Sequence, residues 1–427
     1  MVFKMVPSAV NKYLETRGVR GPWKIAGTQQ DGFAGAVVIP SLAETDCLFM
    51  TLQSLAQNPS DLLSRFLILV VVNHRQDAPL SDKLDNQQTL QMLAAKNHLL
   101  SGLCLGWVDA ASAGLELPIK TGGVGLARKI GMDLALTRLD YEKVAPLIIS
   151  LDADTLVRPD YLRALLGHFG NAQASGAIIP FCHQQGTTGE QESAIQRYEL
   201  FLRAYVLGLA RALSPYAFHT VGSTMACTAA AYARAGGMNT RVAGEDFYFL
   251  QHLAKTGGVG RVRGTVVYPS ARASYRVPFG TGRSITRLLA GENEAVMFYQ
   301  TACFQVLKDW LDLIAQNVDA PGEEIRNKTK GISLPLTDFL DRVQFPAVWN
   351  KLKRNLRTPS TLLSGFHGWF DGLKTMKLIH HLSAGPFPRE EPEEVLPGLL
   401  QWAGLDSVEG IAKQLGVLRK IQIGEDY

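Results

Sequence analysis

Five short apolar runs, rich in β-branched residues, recur in the first half of the chain. They lie at 36–40, 66–73, 103–108, 147–151 and 176–181. Unbroken apolar runs of this length are typical of strands that are covered on both faces of a sheet. The stretches between them, at 46–57, 86–100, 126–139 and 159–169, have helical length and spacing. The alternation predicts a doubly wound α/β fold with a mainly parallel sheet and helices on both faces.

The pattern changes after about residue 285. Strand-like runs stop there, and helical segments broken by prolines continue to the last residue. The first 33 residues contain no run that matches the strands of the sheet. We therefore predict three parts: an N-terminal extension at 1–33, an α/β domain at 34–285 and a helical C-terminal domain at 286–427.

Composition narrows the class of protein. An apolar share of 46% and a charged share of 19% exclude a disordered or fibrous chain, and a net charge of +4 is too small to indicate a nucleic-acid binder. The five cysteines are scattered and never form CxxC, which indicates a reducing compartment without a zinc site. The first residues, MVFKMVPSAVNKYLETRG, lack the apolar region of a secretory signal, and no apolar run approaches bilayer length. These features predict a cytoplasmic protein.

One local stretch, 349–381, is strongly basic and also rich in aromatic residues. Its cations, opposed by the single acid Asp371, are Lys351, Lys353, Arg354, Arg357, Lys374 and Lys377. Such a stretch suits peripheral contact with an anionic surface, such as the inner face of a membrane. The alternative, which we favour, is a solvated face whose aromatic residues belong to the core of the helical domain.

Two pairs of carboxylates are candidates for chemistry. Asp152 and Asp154 follow the apolar run at 147–151, and the ligand crevice of such sheets lies beyond the carboxyl ends of the strands. Residues two apart on an extended chain point the same way, so this pair suits a hard divalent ion and a diphosphate-bearing ligand. Glu245 and Asp246 open an amphipathic helix, where a carboxylate either interacts with the helix dipole or acts as a general base.

A glycine-rich loop, TGGVG at 121–125, precedes a helix that carries Arg128 and Lys129. Backbone amides and cations in this arrangement suit a phosphate group. The spacing argues against a nicotinamide dinucleotide, because the sixth position from Gly123 is Arg128 and no apolar strand runs directly into Gly122. The loop therefore favours a phosphate-bearing ligand without hydride transfer.

Four motifs, in this order and spacing, resemble the nucleotide-sugar-dependent glycosyltransferases of family 2. They are VVIPSLAE at 37–44, GVGLARKIGMDLAL at 123–136, LIISLDADTLVRPDYL at 147–162 and ARAGGMNTRVAGEDFYFLQHL at 233–253. The resemblance covers about residues 34–280 and implies the GT-A fold. It also implies a nucleotide-sugar donor, with a UDP-sugar favoured over a GDP-sugar.

The resemblance assigns roles to individual positions. On the donor side it implies nucleoside or nucleotide contacts from Pro40, Ser41, Glu44, Arg128 and Lys129, although family members usually have Asn where this chain has Lys129.

On the catalytic side, the resemblance places Asp152 near the ribose or a metal and makes Asp154 the principal ligand of Mg²⁺ or Mn²⁺. Asp246, next to Glu245, becomes the candidate base. A single base implies an inverting displacement by an acceptor hydroxyl on a glycan, a small molecule or a lipid-linked sugar.

The chain departs from the family pattern in two further places. The second strand ends in Asn73, with an acid only at Asp77, where typical members have an Asp that reads the base. The QxxRW signature is missing, and SARASYRVPFGTGRS supplies Arg272, Arg276 and Arg283 instead. We predict that these arginines either form a loop over the diphosphate or belong to an arginine-rich surface turn.

Two other functions compete with glycosyl transfer. A sugar-1-phosphate nucleotidyltransferase needs a GxGxRxxPLT-like loop after the first strand, where this chain has IPSLAET. A catalytically silent nucleotide- or carbohydrate-binding module would not need the acids at 152, 154 and 246. A glycosidase would leave the glycine-rich loop and its cations unexplained.

Overall fold

The computed structural model describes residues 6–95, 100–171, 174–276 and 280–424. The strands in these ranges are β1 (Ile25–Ala26), β2 (Gly35–Ser41), β3 (Phe66–Asn73), β4 (Cys104–Ala110), β5 (Leu147–Ser150), β6 (Leu156–Val157), β7 (Gly176–Ile178), β8 (Met225–Thr228), β9 (Val259–Arg261) and β10 (Val267–Tyr268). The helices are α1 (Ser8–Arg17), α2 (Thr45–Ala56), α3 (Ser60–Leu63), α4 (Leu80–Ala94), α5 (Val124–Leu136), α6 (Tyr161–Asn171), α7 (Gly189–Arg211), α8 (Ala229–Arg234), α9 (Glu245–Gly257), α10 (Thr281–Leu289), α11 (Thr301–Gln316), α12 (Gly322–Lys328), α13 (Leu334–Arg342), α14 (Phe345–Asn355), α15 (Pro359–Trp369), α16 (Gly372–Ser383), α17 (Pro392–Trp402) and α18 (Ile411–Ile423).

Eight strands form one sheet, in the order β1-β4-β3-β2-β5-β8-β7-β9. The pairs β2–β3, β2–β5, β3–β4 and β7–β9 are parallel. β8 is antiparallel to both of its neighbours, and β1 is antiparallel to β4. The predicted class is thus confirmed as a mixed α/β fold with a mainly parallel sheet and additional C-terminal helices.

The centre of the sheet is fully buried. Every residue of β2 and β3 is buried, as their unbroken apolar sequences predict. α5 packs closely against these two strands at Gly131, where an added Cβ would lie 2.4 Å from Val38 Cγ1 and 2.8 Å from Val71 Cγ2. This close packing places α5, with Arg128 and Lys129, directly against the strands whose ends line the crevice.

Several predicted elements differ at their ends from those observed, and two of the differences have a clear physical reason. β7 ends at Ile178 instead of 181, because Pro180 has no N–H to donate to the strand ladder. α4 begins at Leu80, directly after Pro79, and not at the predicted residue 86. The sequence at 80–85 is mostly polar, so apolar periodicity does not reveal this first part of the helix. Residues 96–99 of the helix predicted at 86–100 lie outside the described residues.

The chain divides into two compact units. The first contains the sheet and comprises the described parts of Met1–Thr187, Thr220–Arg283 and Ile423–Tyr427, and the second is helical and comprises Thr188–His219 and Ser284–Gln422. Residues 188–219 therefore group with the later helices, although we predict them within the α/β domain at 34–285. Aromatic packing explains this, since Tyr205 of α7 lies 5.7 Å from Tyr299 and 6.0 Å from Phe304 between ring centroids.

The helical unit has an aromatic core around Trp310. The rings of Phe345, Phe366 and Phe370 lie 4.9, 5.7 and 6.1 Å from it, and Trp349 is also fully buried. The aromatic residues of the basic stretch at 349–381 thus belong largely to this core, as the favoured interpretation predicts. Across the described residues, no helix combines the length and the apolarity that a membrane span needs.

Candidate active site

The carboxylates at 152 and 154 lie just past the end of β5, at the edge of the sheet that the sequence predicts. They sit in a turn, closed by a 3.2 Å hydrogen bond from the Thr155 N–H to the Asp152 carbonyl, and not on the extended segment that their spacing suggests. Each carboxylate binds a different arginine. Asp152 accepts from Arg128, and Asp154 accepts from Arg272.

Arg128 connects the two predicted acidic pairs. Its Nη2 donates to Asp152 Oδ1 at 2.5 Å, its Nε to Glu245 Oε1 at 3.0 Å and its Nη1 to Ser150 Oγ at 2.5 Å. Arg128 is only 2% exposed. Burial acts to lower the pKa of the guanidinium, but Asp152 and Glu245 raise it above its ordinary value. Arg128 therefore stays charged and fixes the end of β5 to the start of α9.

Asp246 is the second residue of α9, and the helix is preceded by Gly244 in a left-handed conformation with φ of 72°. Its Oδ1 accepts a 2.7 Å hydrogen bond from the Phe247 N–H. Burial, followed by the neighbouring Glu245 carboxylate, raises the pKa of Asp246 to about 7, although Arg128 acts in the opposite direction. A carboxyl group with such a pKa is suited to exchange a proton near neutral pH.

A second charge cluster lies beside Asp154. Arg272 donates to Asp154 Oδ2 through Nε at 3.1 Å and Nη2 at 3.0 Å. Both Arg272 and Arg276 also donate to Glu44 Oε1. Burial and then Asp154 raise the pKa of Glu44, and hydrogen bonding from Arg272 opposes the shift. The structure thus brings together Glu44, Asp154 and two of the three predicted loop arginines.

The third loop arginine, Arg283, lies on α10 and forms no ion pair with Glu44 or Asp154 among the described residues. Residues 277–279, within the predicted diphosphate loop, lie outside the described residues. Of the predicted loop arginines, Arg272 and Arg276 therefore belong to this charge cluster.

The predicted nucleoside contacts lie at the ends of β2 and β3. Pro40 and Ser41 are buried there, and Asn73 Nδ2 donates to the carbonyls of Ser41 and Val71, both at 3.0 Å. Asp77 instead pairs with Arg75 at 3.0 Å and is 41% exposed at its side chain. Of the two candidates for reading the base, Asn73 is the one that lies against Ser41.

Lys129 does not join the carboxylates of the crevice. Its Nζ donates to Asp133 Oδ2 at 2.8 Å and to the hydroxyl of Tyr13 at 2.6 Å. The Tyr13 and Tyr232 hydroxyls both donate to Asp133 Oδ1 at 2.7 Å. Lys129 therefore anchors α1 to α5, a role that the motif alignment does not suggest because Tyr13 lies 116 residues away in the chain.

Gly123 and Gly125 of the glycine-rich loop pack closely against the backbone of another segment. An added Cβ at Gly123 would lie 2.8 Å from Val242 Cα, and one at Gly125 would lie 2.4 Å from the Arg241 carbonyl oxygen. Backbone at 239–242 therefore covers this start of α5, where the sequence predicts a phosphate. The same backbone leads into Glu245, and the Asn239 side chain donates to the Glu245 carbonyl at 2.9 Å.

Sequence reasoning missed two residues that shape the site. Ser150 accepts from Arg128. The sequence could have indicated this residue, because Ser150 is a polar residue at the end of the otherwise apolar run LIIS. Asn86 of α4 accepts from the Ala43 N–H at 2.9 Å and donates to the Asn73 carbonyl at 3.0 Å. Nothing in the sequence around Asn86 marks it, because its partners come from two separate strand ends.

A divalent ion has two carboxylates available at this site. The described residues contain no group of three or more His, Cys, Asp or Glu that could hold a metal. Asp152 uses Oδ1 and Asp154 uses Oδ2 on arginines, which leaves one oxygen of each carboxylate for another ligand. Mg²⁺ commonly binds through one or two carboxylates together with substrate phosphates and water. The residues fit an ion that binds together with a diphosphate.

Comparison with known proteins gives one family match. Residues 147–301 match the sequence model of the family described as glycosyl transferase family group 2. This segment contains β5, both aspartates of the DxD pair and the Glu245–Asp246 pair. No curated protein matches the chain.

Solved structures with a similar course of the chain share little sequence with it. S. aureus TarS 1-349 in complex with UDP-GlcNAc is 12% identical with a TM-score of 0.39, covering 72% of this chain and 83% of TarS 1-349. The mannosyltransferase PcManGT from Pyrobaculum calidifontis in complex with GDP-Man and Mn²⁺ is 14% identical with a TM-score of 0.35, covering 85% and 93%. Glucosyl-3-phosphoglycerate synthase from Mycobacterium tuberculosis with UDP is 13% identical with a TM-score of 0.34, covering 68% and 87%. The family match at 147–301, which contains both acidic pairs, confirms over this part of the chain the resemblance that the motifs predict.

Proposed function

We propose that the protein transfers a sugar from a nucleotide-sugar donor to an acceptor hydroxyl, with inversion at the anomeric carbon. The main support for the proposal is that Arg128 bonds both Asp152 and Glu245, so the two predicted acidic pairs meet at one end of the sheet. A donor whose diphosphate lies at Asp152 and Asp154 would then have its sugar near Asp246. The likeness to enzymes solved with UDP-GlcNAc, UDP or GDP-Man agrees with the donor class but does not carry it.

Asp246 is the proposed base. Its carboxylate would take the proton of the acceptor hydroxyl as that oxygen attacks the anomeric carbon and the bond to the diphosphate breaks. One carboxylate is enough for this single displacement. Glu245 accepts from Arg128 through Oε1 and holds the start of α9, so we assign it a positioning role.

Charge on the leaving diphosphate must be neutralised for the donor bond to break. Arg272 pairs with Asp154, and Arg276 pairs with the neighbouring Glu44, so we propose that these two cations bind the diphosphate. Asp154 and Asp152 would hold Mg²⁺ or Mn²⁺, which supplies Lewis-acid stabilisation of the leaving group when bound. On the nucleoside side we propose Pro40, Ser41 and Asn73.

The two competing functions lack a specific observation in their favour. β2 ends in IPS and continues into α2, without the glycine-rich loop of a nucleotidyltransferase. In a binding module without catalytic activity, the raised pKa of Asp246 would have no function. The acceptor stays open among a glycan, a small molecule and a lipid-linked sugar.

A thermal-shift panel tests the proposed function. We expect one class of nucleotide sugar to raise Tm in the presence of Mn²⁺, since a ligand at a hundred times its Kd stabilises the folded state by about 2.7 kcal/mol. Sugar 1-phosphates with nucleoside triphosphates are the control, because a nucleotidyltransferase would respond to them instead. Stabilisation by no nucleotide sugar would contradict the proposal.

The basic stretch at 349–381 leads to a separate expectation about membranes. Lys353 donates to the Asp319 and Ala320 carbonyls, and Lys374 lies over the Trp369 ring, which leaves four exposed cations. Each contributes about 1 kcal/mol near an anionic surface, and about 4 kcal/mol corresponds to a Kd of only about 1 mM. We expect the protein to stay in the supernatant when vesicles, neutral or anionic, are sedimented at physiological salt. Co-sedimentation with anionic vesicles alone, lost as salt rises, would instead support peripheral attachment.

A further inference from the structure

The cluster of Glu44, Asp154, Arg272 and Arg276 balances its own charge without any ligand. Glu44 bonds both guanidinium groups, and Asp154 bonds Arg272 through two N–H groups. Two carboxylates and two guanidiniums of the same chain thus neutralise one another. A diphosphate that binds these arginines must therefore compete with carboxylates that already use their N–H groups.

Glu44 is held in this cluster by an unusual backbone. The preceding residue, Ala43, has φ of 50°, in the left-handed region that residues with a side chain rarely adopt. The Ala43 N–H donates to Asn86 Oδ1 at 2.9 Å, and its carbonyl accepts from Arg276 Nη2 at 3.0 Å. The bonds on both sides of Ala43 compensate for its backbone strain and direct the Glu44 carboxylate at the arginines.

The Glu44 carboxylate is buried, whereas its arginine partners are accessible. The side chain of Glu44 is 10% exposed, and its Oε2 has no hydrogen-bond partner among the described residues. The side chains of Arg272 and Arg276 are 30% and 31% exposed. A diphosphate can therefore reach the arginines from solvent, while the buried charge of Glu44 repels it.

We infer that Glu44 is a counter-anion that the diphosphate of the donor displaces from Arg272 and Arg276, so that it limits the affinity of the site for diphosphates. The inference rests on the proposed function. It differs from the nucleoside contact that the family resemblance implies for Glu44, because the two roles predict opposite effects of removing the charge. When the nucleoside diphosphate leaves, the same carboxylate re-pairs with the arginines and favours release.

The test is calorimetric titration of the wild type and of Glu44→Gln with inorganic pyrophosphate, UDP, GDP and uridine, each without added metal. We expect the variant to bind pyrophosphate and UDP about tenfold more tightly than the wild type, which is about 1.4 kcal/mol, with uridine unchanged. Unchanged or weaker pyrophosphate binding, or a loss of uridine binding, would overturn the inference. Wild-type protein that binds neither UDP nor GDP would instead contradict the proposed function.

Two further variants make the result specific. Glu142→Gln also removes one negative charge, but from an exposed position ahead of β5, and should leave pyrophosphate affinity unchanged. Arg276→Gln should weaken pyrophosphate binding, and adding Glu44→Gln to it should give a smaller gain than in the wild-type background. An equal gain in both backgrounds would show that Glu44 acts without Arg276 and would overturn the displacement.

Discussion

We expect replacement of Asp246 by Asn to lower sugar transfer by about 10² to 10⁴ while donor affinity is retained. Asn keeps the shape of the side chain and its carbonyl oxygen can still accept from the Phe247 N–H, but the amide cannot take a proton from the acceptor. The measurements are kcat from release of the nucleoside diphosphate and Kd of the donor from calorimetry. A fall in kcat at constant Kd assigns Asp246 to the chemical step.

Asp46→Asn is the matched control for this variant. Asp46 is also an acid in the first turn of a helix, but it is exposed and lies outside the proposed catalytic and binding residues. Its replacement should leave kcat unchanged. Near wild-type turnover of Asp246→Asn would reduce Asp246 to a partner of the helix dipole, and retention of the anomeric configuration in the product would reject the single displacement.

Asp246→Asn should also change how sugar transfer depends on pH. Because burial raises the pKa of Asp246 to about 7, transfer should fall as pH drops through that value, and this acidic limb should be absent in the variant. The stability of the wild type should change with pH in the opposite direction to its activity. A raised pKa in the folded state stabilises the protein at low pH, and this contribution is lost as pH rises to about 7. Above that pH the variant should therefore have the higher Tm, and below pH 4 the two proteins should converge.

The parts of the fold that depend on local sequence could be predicted. β2, β3 and β5 are apolar runs bounded by polar residues, and their positions match the structure within one residue. Segment 188–219 was predicted in the wrong unit because α7 is an ordinary amphipathic helix. Its grouping depends on rings at 299 and 304, far along the chain.

The candidate site shows the same division. The acids at 152, 154, 245 and 246 could be found because each pair directly follows a strand or opens a helix, where a parallel sheet exposes its ligand crevice. Their partners could not, since the Arg128–Glu245 and Arg272–Glu44 pairs join residues 117 and 228 positions apart. Only the folded chain shows that Arg128 and Lys129 have different partners although they are adjacent in sequence. Arg128 binds the carboxylates of the site, whereas Lys129 anchors α1 to α5.

Replacement of Asp154 by Ala should abolish the gain in donor affinity that a metal provides. In the wild type we expect Mn²⁺ to tighten UDP binding at least tenfold, because Asp154 and Asp152 each offer one carboxylate oxygen to an ion that also binds the diphosphate. Loss of Asp154 leaves a single carboxylate, so the affinities with and without Mn²⁺ should become equal.

The measurement is calorimetric titration with UDP, with and without Mn²⁺, and the titration without Mn²⁺ separates loss of metal coordination from general damage to the fold. Asp154→Ala frees Arg272 from one of its two carboxylate partners, so UDP binding without Mn²⁺ should be unchanged or stronger than in the wild type. A variant that has lost its fold would bind UDP more weakly in both arms and show a lowered Tm. Asp61→Ala, at an exposed acid of α3, is the control and should keep the full response to Mn²⁺. If Asp154→Ala also kept that response, the ion would be held elsewhere, and Asp154 would act only as the partner of Arg272.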